Sequence, residues 1–122
     1  MSLHFATDTV EIKETELDVL IVGFYTKAYY LMIQQSLDEY DEQDVRLGMN
    51  TYHIERDDQS YSGYGGVERV NLHRNLLEVE LNEPGKGLLC DSVKIDFQTD
   101  SENHRLLTEK LKYIFGDLLV VK

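Results

Sequence analysis

Apolar residues recur at every second position through most of this chain, a period that builds strands and rules out an all-helical fold. Leu77, Val79 and Leu81 alternate with Glu78, Glu80 and Asn82, and Val93, Ile95 and Phe97 alternate with Lys94, Asp96 and Gln98. Thr51 to Arg56 sets Tyr52 and Ile54 against His53 and Glu55, while Val67 to Leu72 alternates less cleanly. Residues 3–13 place Phe5, Val10 and Ile12 among polar neighbours, as in a half-buried edge strand. Leu17 to Tyr25 is dense in Val, Ile, Leu and aromatic residues, which predicts a central strand covered on both faces. Tyr29 to Gln34 follows a short Thr26-Lys27-Ala28 connection, so these two segments read as a hairpin, and Arg74-Asn75 marks another tight turn. The sum is about six to seven strands, with connections short enough to favour antiparallel pairing.

One segment breaks the rhythm. Leu106, Leu107, Leu111, Ile114 and Phe115 are spaced for one face of a helix over 101–115. Thr99-x-x-Glu102 fits a capping box, with Asp100 and Ser101 as alternative caps, and Gly116 stands where the helix should stop. The expected architecture is α+β: a twisted antiparallel sheet with this C-terminal helix packed on one face. The 122 residues suffice for one domain, 1–122, that buries its own core without metal or disulfide.

Charge narrows the function. The net charge is −11, and residues 38–58 hold eight acids against Arg46 and Arg56, a local charge of −6. Phosphates would be repelled, which argues against nucleic acid and anionic membrane and favours a basic partner. The longest apolar run, Val19 to Phe24, is far short of the roughly 20 residues a spanning helix needs. Cys90 is the single cysteine, so no internal disulfide or thiolate zinc cage can form, and a reducing, cytoplasmic location is expected.

Catalytic signals are weak. His4, His53, His73 and His104 never fall at metal-ligand spacing, and Cys90 has no nucleophile signature around it. Asp38 to Asp44 misses the EF-hand pattern for want of the turn glycine. Ser62-Gly63-Tyr64-Gly65-Gly66 lacks the Lys-Ser/Thr of a phosphate loop and is read instead as a loop needing positive φ. No catalytic residue, metal ligand or cofactor is therefore assigned.

Tyrosine is the more informative residue, because it couples apolar area to a polar tip and is enriched at interfaces. Tyr40, Tyr61 and Tyr64 lie in polar or glycine-rich sequence beside the acids. With Asp38, Asp41, Glu42, Asp44, Glu55, Asp57 and Asp58 they form the candidate partner-binding set. Three readings stand at this point: a protein-binding inhibitor, a small-molecule- or carbohydrate-binding sheet domain using the glycine–tyrosine loop, and a metal-dependent carboxylate enzyme.

The blocks Asp41-Glu42-Gln43-Asp44, Leu47-Gly48-Met49, Asp58-Gln59 and Ser62-Gly63-Tyr64-Gly65-Gly66, in that order, resemble the immunity protein 10 family of bacterial polymorphic toxin systems. The Val93 to Phe97 strand and the closing helix also fall in the expected places, so the likeness spans most of the chain. The resemblance implies a non-enzymatic protein that binds and neutralises a cognate toxin domain. It selects no interface residues.

Overall fold

The computed structural model describes residues 2–37, 51–82, 88 and 90–122, with backbone alone at 58–60. Among the described residues the alternating segments become ten strands and one α-helix. The strands are β1 (Ser2–Thr7), β2 (Thr9–Glu14), β3 (Val19–Tyr25), β4 (Tyr30–Ser36), β5 (His53–Arg56), β6 (Asp58–Tyr64), β7 (Val67–Leu72), β8 (Leu76–Leu81), β9 (Ser92–Phe97) and β10 (Leu119–Val121). The helix, α1, spans Ser101–Phe115. The α+β class and the C-terminal helix are as the sequence predicts.

The strands divide into two five-stranded sheets, in the orders β1-β9-β8-β7-β10 and β2-β3-β4-β5-β6. Alternation tells which side of a strand faces the core but not which sheet it joins, and two crossovers make the division. At Asp8 the segment 3–13, expected as one strand, leaves the first sheet and enters the second. Thr7 fixes the crossing: its hydroxyl accepts from the Thr9 amide at 2.9 Å and donates to the Tyr25 carbonyl. The second crossover lies between β6 and β7. There Gly65 and Gly66 adopt φ of 69° and 85°, a region that other residues enter only at a cost. The segment expected as a glycine–tyrosine loop is thus a strand as far as Tyr64, and only its last two glycines turn. Two pairings are parallel, β1 with β9 and β10 with β7.

Both sheets and the helix share one core. Leu20, Val22 and Phe24 of β3 and Leu31 and Ile33 of β4 point into it from the second sheet, at 0–1% exposure. Val70, Leu72, Leu77, Val79, Val93 and Ile95 meet them from the first sheet, all at 0%. Burying such a side chain stabilises by about 1.5–3 kcal/mol relative to leaving it exposed. Residues 19, 21, 23 and 25 alternate with these and face away from the core; Gly23 is buried and the other three are half-buried.

The helix buries Leu107, Leu111, Ile114 and Phe115, a stripe at i, i+4, i+7 and i+8. Leu106, expected on that face, stands about 100° off it and is 37% exposed. Asp100 is the N-cap, with Oδ1 accepting from the Asn103 amide at 2.7 Å. Thr99 is displaced from that role because Arg74 claims it, donating to its carbonyl at 2.7 Å. Gly116 ends the helix at φ 56°, its amide returning to the Lys112 carbonyl.

Candidate functional site

The hairpin of β3 and β4 sets Tyr25 opposite Tyr30 in register, and Gly23 opposite Met32. Their inward neighbours are the core residues Phe24, Leu31 and Val22, so these four positions face outward. The same row continues to Glu11 on β2 and to Glu55 and Ser62 on β5 and β6. The next row carries Lys13, Ile21, Gln34, His53 and Tyr64. The outer face of the second sheet is therefore a mixture of tyrosine, methionine and isoleucine with carboxylates at intervals.

The tyrosines are held down on this face. Gly23 makes the space: a Cβ there would collide with the phenol of Tyr25, which lies across it. The Tyr25 hydroxyl donates to Glu11 at 3.4 Å, and the Tyr30 hydroxyl donates to Glu55 at 2.5 Å. The two rings lie 6.2 Å apart at a 35° tilt. Burial chiefly, and then the nearby Glu11 and Glu55 carboxylates, push the Tyr25 phenol above its ordinary value of 10.0. The Tyr25 ring thus stays a neutral donor at physiological pH.

The outer face of the first sheet is chemically different. Among the described residues it carries ion pairs between His4 and Asp96 at 2.6 Å, His73 and Glu78 at 2.7 Å, and Lys94 and Glu78 at 3.8 Å.

The acids and tyrosines singled out in the sequence are not one surface. Asp38, Tyr40, Asp41, Glu42 and Asp44 lie outside the described residues, and Asp58 is placed on β6 by its backbone alone. Glu55 is only 7% exposed, packed beneath the tyrosines. Asp57 occupies the turn between β5 and β6 at φ 60°. Its Oδ1 accepts from the Tyr30 amide at 2.9 Å and its Oδ2 from Arg56 at 3.1 Å. Arg56, 8% exposed, also donates from Nε to the Leu88 carbonyl at 2.6 Å, and its guanidinium sits 4.3 Å over the ring of Tyr61. Arg56 faces inward, opposite Leu31 in register, so Tyr61 belongs to a cluster that ties β5 and β6 to residue 88. Tyr64 is 45% exposed, edge-on to His53 at 4.9 Å, and is the candidate that continues the outer face.

Glu11, Tyr25, Tyr30 and Met32 are absent from the set drawn from sequence. The available signal was the hairpin itself, since a turn over 26–29 brings Tyr25 and Tyr30 side by side.

Other chemistry finds less support. Cys90 is 1% exposed, and burial pushes its thiol up from 9.0 against the opposing effect of nearby Arg56. Among the described residues no group of three or more His, Cys, Asp or Glu is gathered to hold a metal ion. Two surface grooves, of ≈ 630 and ≈ 500 Å³, share Asp8 and Gln98, and neither is lined by Tyr61 or Tyr64. No helix among the described residues is long and apolar enough to cross a membrane.

Comparison with protein families gives a match to the family described as immunity protein 10, over residues 6–105. No curated protein and no solved structure matches the chain.

Proposed function

The chain belongs to the immunity protein 10 family, and from that membership we propose that it binds a cognate toxin domain and neutralises it through an acidic, tyrosine-bearing surface. The match over residues 6–105 carries the proposal. It supports an inhibitor that acts by binding, without catalysis or cofactor. The net charge of −11 suits a basic toxin, because opposed charge raises the rate of encounter. Asp38, Tyr40, Asp41, Glu42, Asp44, Asp58 and the exposed Tyr64 are the proposed contacts. Glu55, Asp57 and Tyr61 act as supports within β5, β6 and the turn between them. Cys90, a free thiol kept buried, suits a protein that works in the reducing cytoplasm.

The test is co-expression. Cells producing a cognate toxin domain should survive when the chain is produced with it and die when it is not. Death in both cases would contradict the proposal.

A further inference from the structure

An edge strand can take on another strand, because half of its main-chain groups have no ladder partner. β2 is an outer strand of the second sheet, six residues long, with no proline and no shift of register against β3. Two hydrogen bonds at the ends of β3 fix which of its groups are spare. The Thr15 amide donates to the Val19 carbonyl at 2.9 Å, and the Thr26 amide donates to the Tyr29 carbonyl at 2.7 Å. Bonded pairs alternate along an antiparallel ladder, so odd residues of β3 bond to β2 and even ones to β4. On β2, the main-chain groups of Thr9, Glu11 and Lys13 therefore face β3, and those of Val10, Ile12 and Glu14 face the open edge. Among the described residues nothing pairs with the main chain of Val10 or Ile12 across that edge.

The edge runs along a groove of ≈ 500 Å³. Residues 8–12 form one wall, and Asn103 and Leu106 of α1 belong to the other. Consecutive residues line a groove together only where it follows the edge of the strand, since either face would show alternate ones. Asn103, Leu106 and Lys110 make one stripe of the helix, at i, i+3 and i+7. Lys110 closes the far end of the groove by reaching Glu14 at 3.7 Å. From residue 8 to residue 12 the groove is about 13 Å long at ~3.3 Å per residue, room for an extended segment of about four residues.

The walls name the occupant. A strand laid on β2 turns alternate side chains inward, among Val10, Ile12 and Leu106, and the others outward, beside Glu11. The lining holds two acids, Asp8 and Glu11, and no Lys or Arg. Lys13 approaches Glu11 at 3.5 Å, but both side chains are about half exposed and such a pair contributes little. The complement is an extended segment in which apolar and basic residues alternate. We infer that the β2 edge docks such a segment of the toxin as an added strand, with α1 as the second wall. The inference rests on the toxin-binding reading and names an edge and a chemistry through which it acts. A second copy of this chain is a poor occupant, because its own residues 8–14 bring three acids against Lys13.

The experiment compares backbone amide exchange, read by NMR, in the free chain and in its complex with a cognate toxin domain held inactive by substitution. In the free chain the Val10 and Ile12 amides should exchange at least tenfold faster than those of Glu11 and Lys13, and in the complex that gap should close. Dissociation constants give a second reading. Leu106→Asp puts a charge on the helix wall, and Tyr113→Asp makes the same change at a 55% exposed position of α1 that does not line the groove. With circular dichroism confirming the fold of each, Leu106→Asp should weaken binding at least tenfold and Tyr113→Asp less than threefold. Val10 and Ile12 amides that stay fast in a saturated complex would overturn the inference, and so would wild-type affinity in Leu106→Asp. Equal loss in both variants would overturn it too, leaving added charge alone as the cause. Protection of the same two amides in a dimer of the chain without toxin would give the edge to a second copy. Failure of the wild type to bind would defeat the toxin-binding reading itself, and this inference with it.

Discussion

The ring of Tyr52 meets the ring of Phe115 edge-on at 4.9 Å, joining the entry to β5 to the last turn of the helix. The same tyrosine oxygen accepts from the Val67 amide at 2.9 Å, where the chain returns to the first sheet. One side chain, 6% exposed, therefore binds both sheets and the helix together.

Tyr52→Phe keeps the ring contact and leaves the buried Val67 amide without that acceptor. The expected cost is about 1–3 kcal/mol. Urea denaturation reads it, and a change of only a few tenths would mean that the amide finds another partner.

High pH should weaken the fold. Burial raises the Tyr52 and Tyr25 phenols above 10.0 and the Cys90 thiol above 9.0. As pH climbs past these ordinary values the unfolded chain gives up protons that the folded chain still holds. Unfolding then releases protons, so stability falls with rising pH. From these groups stability is fully present below about pH 8 and is lost progressively above about pH 9. Urea midpoints across that range should drop, and Tyr52→Phe should make the drop shallower.

The helix offers a paired comparison. Leu111 is 0% exposed and Leu106 is 37% exposed, though both were expected on one buried face. Leu111→Ala should cost about 2–5 kcal/mol. Leu106→Ala should cost about 1 kcal/mol or less, as a partly exposed position. Equal costs would show that both leucines carry the packing.

Where a residue's role depends on neighbours close in sequence, the sequence was readable. The helix limits, the Arg74-Asn75 turn and the hairpin of β3 and β4 all follow from local spacing. The split into two sheets was hidden, because Asp8 and Gly65-Gly66 change the sheet without disturbing the period of two. The site suffered more. Glu55 and Asp57 read as parts of one acid cluster, yet Tyr30 and Arg56, from an adjacent strand and an adjacent position, turn both into supports. Tyr61 and Tyr64 look alike in sequence, and strand alternation with an inward Arg56 sends them to different environments. Tyr25 was overlooked because it ends a dense apolar run, which suggests burial on both faces.

Rates of association and dissociation with the toxin domain, at low and high salt, test the central claim most directly. Asp41→Lys combined with Glu42→Lys should slow association and flatten its salt dependence, because concentrated carboxylates act mainly by steering. Tyr64→Ala should mainly speed dissociation, by about 30-fold if it is an anchor worth ~2 kcal/mol. Rates unchanged from wild type in both variants would contradict an acidic, tyrosine-bearing binding surface.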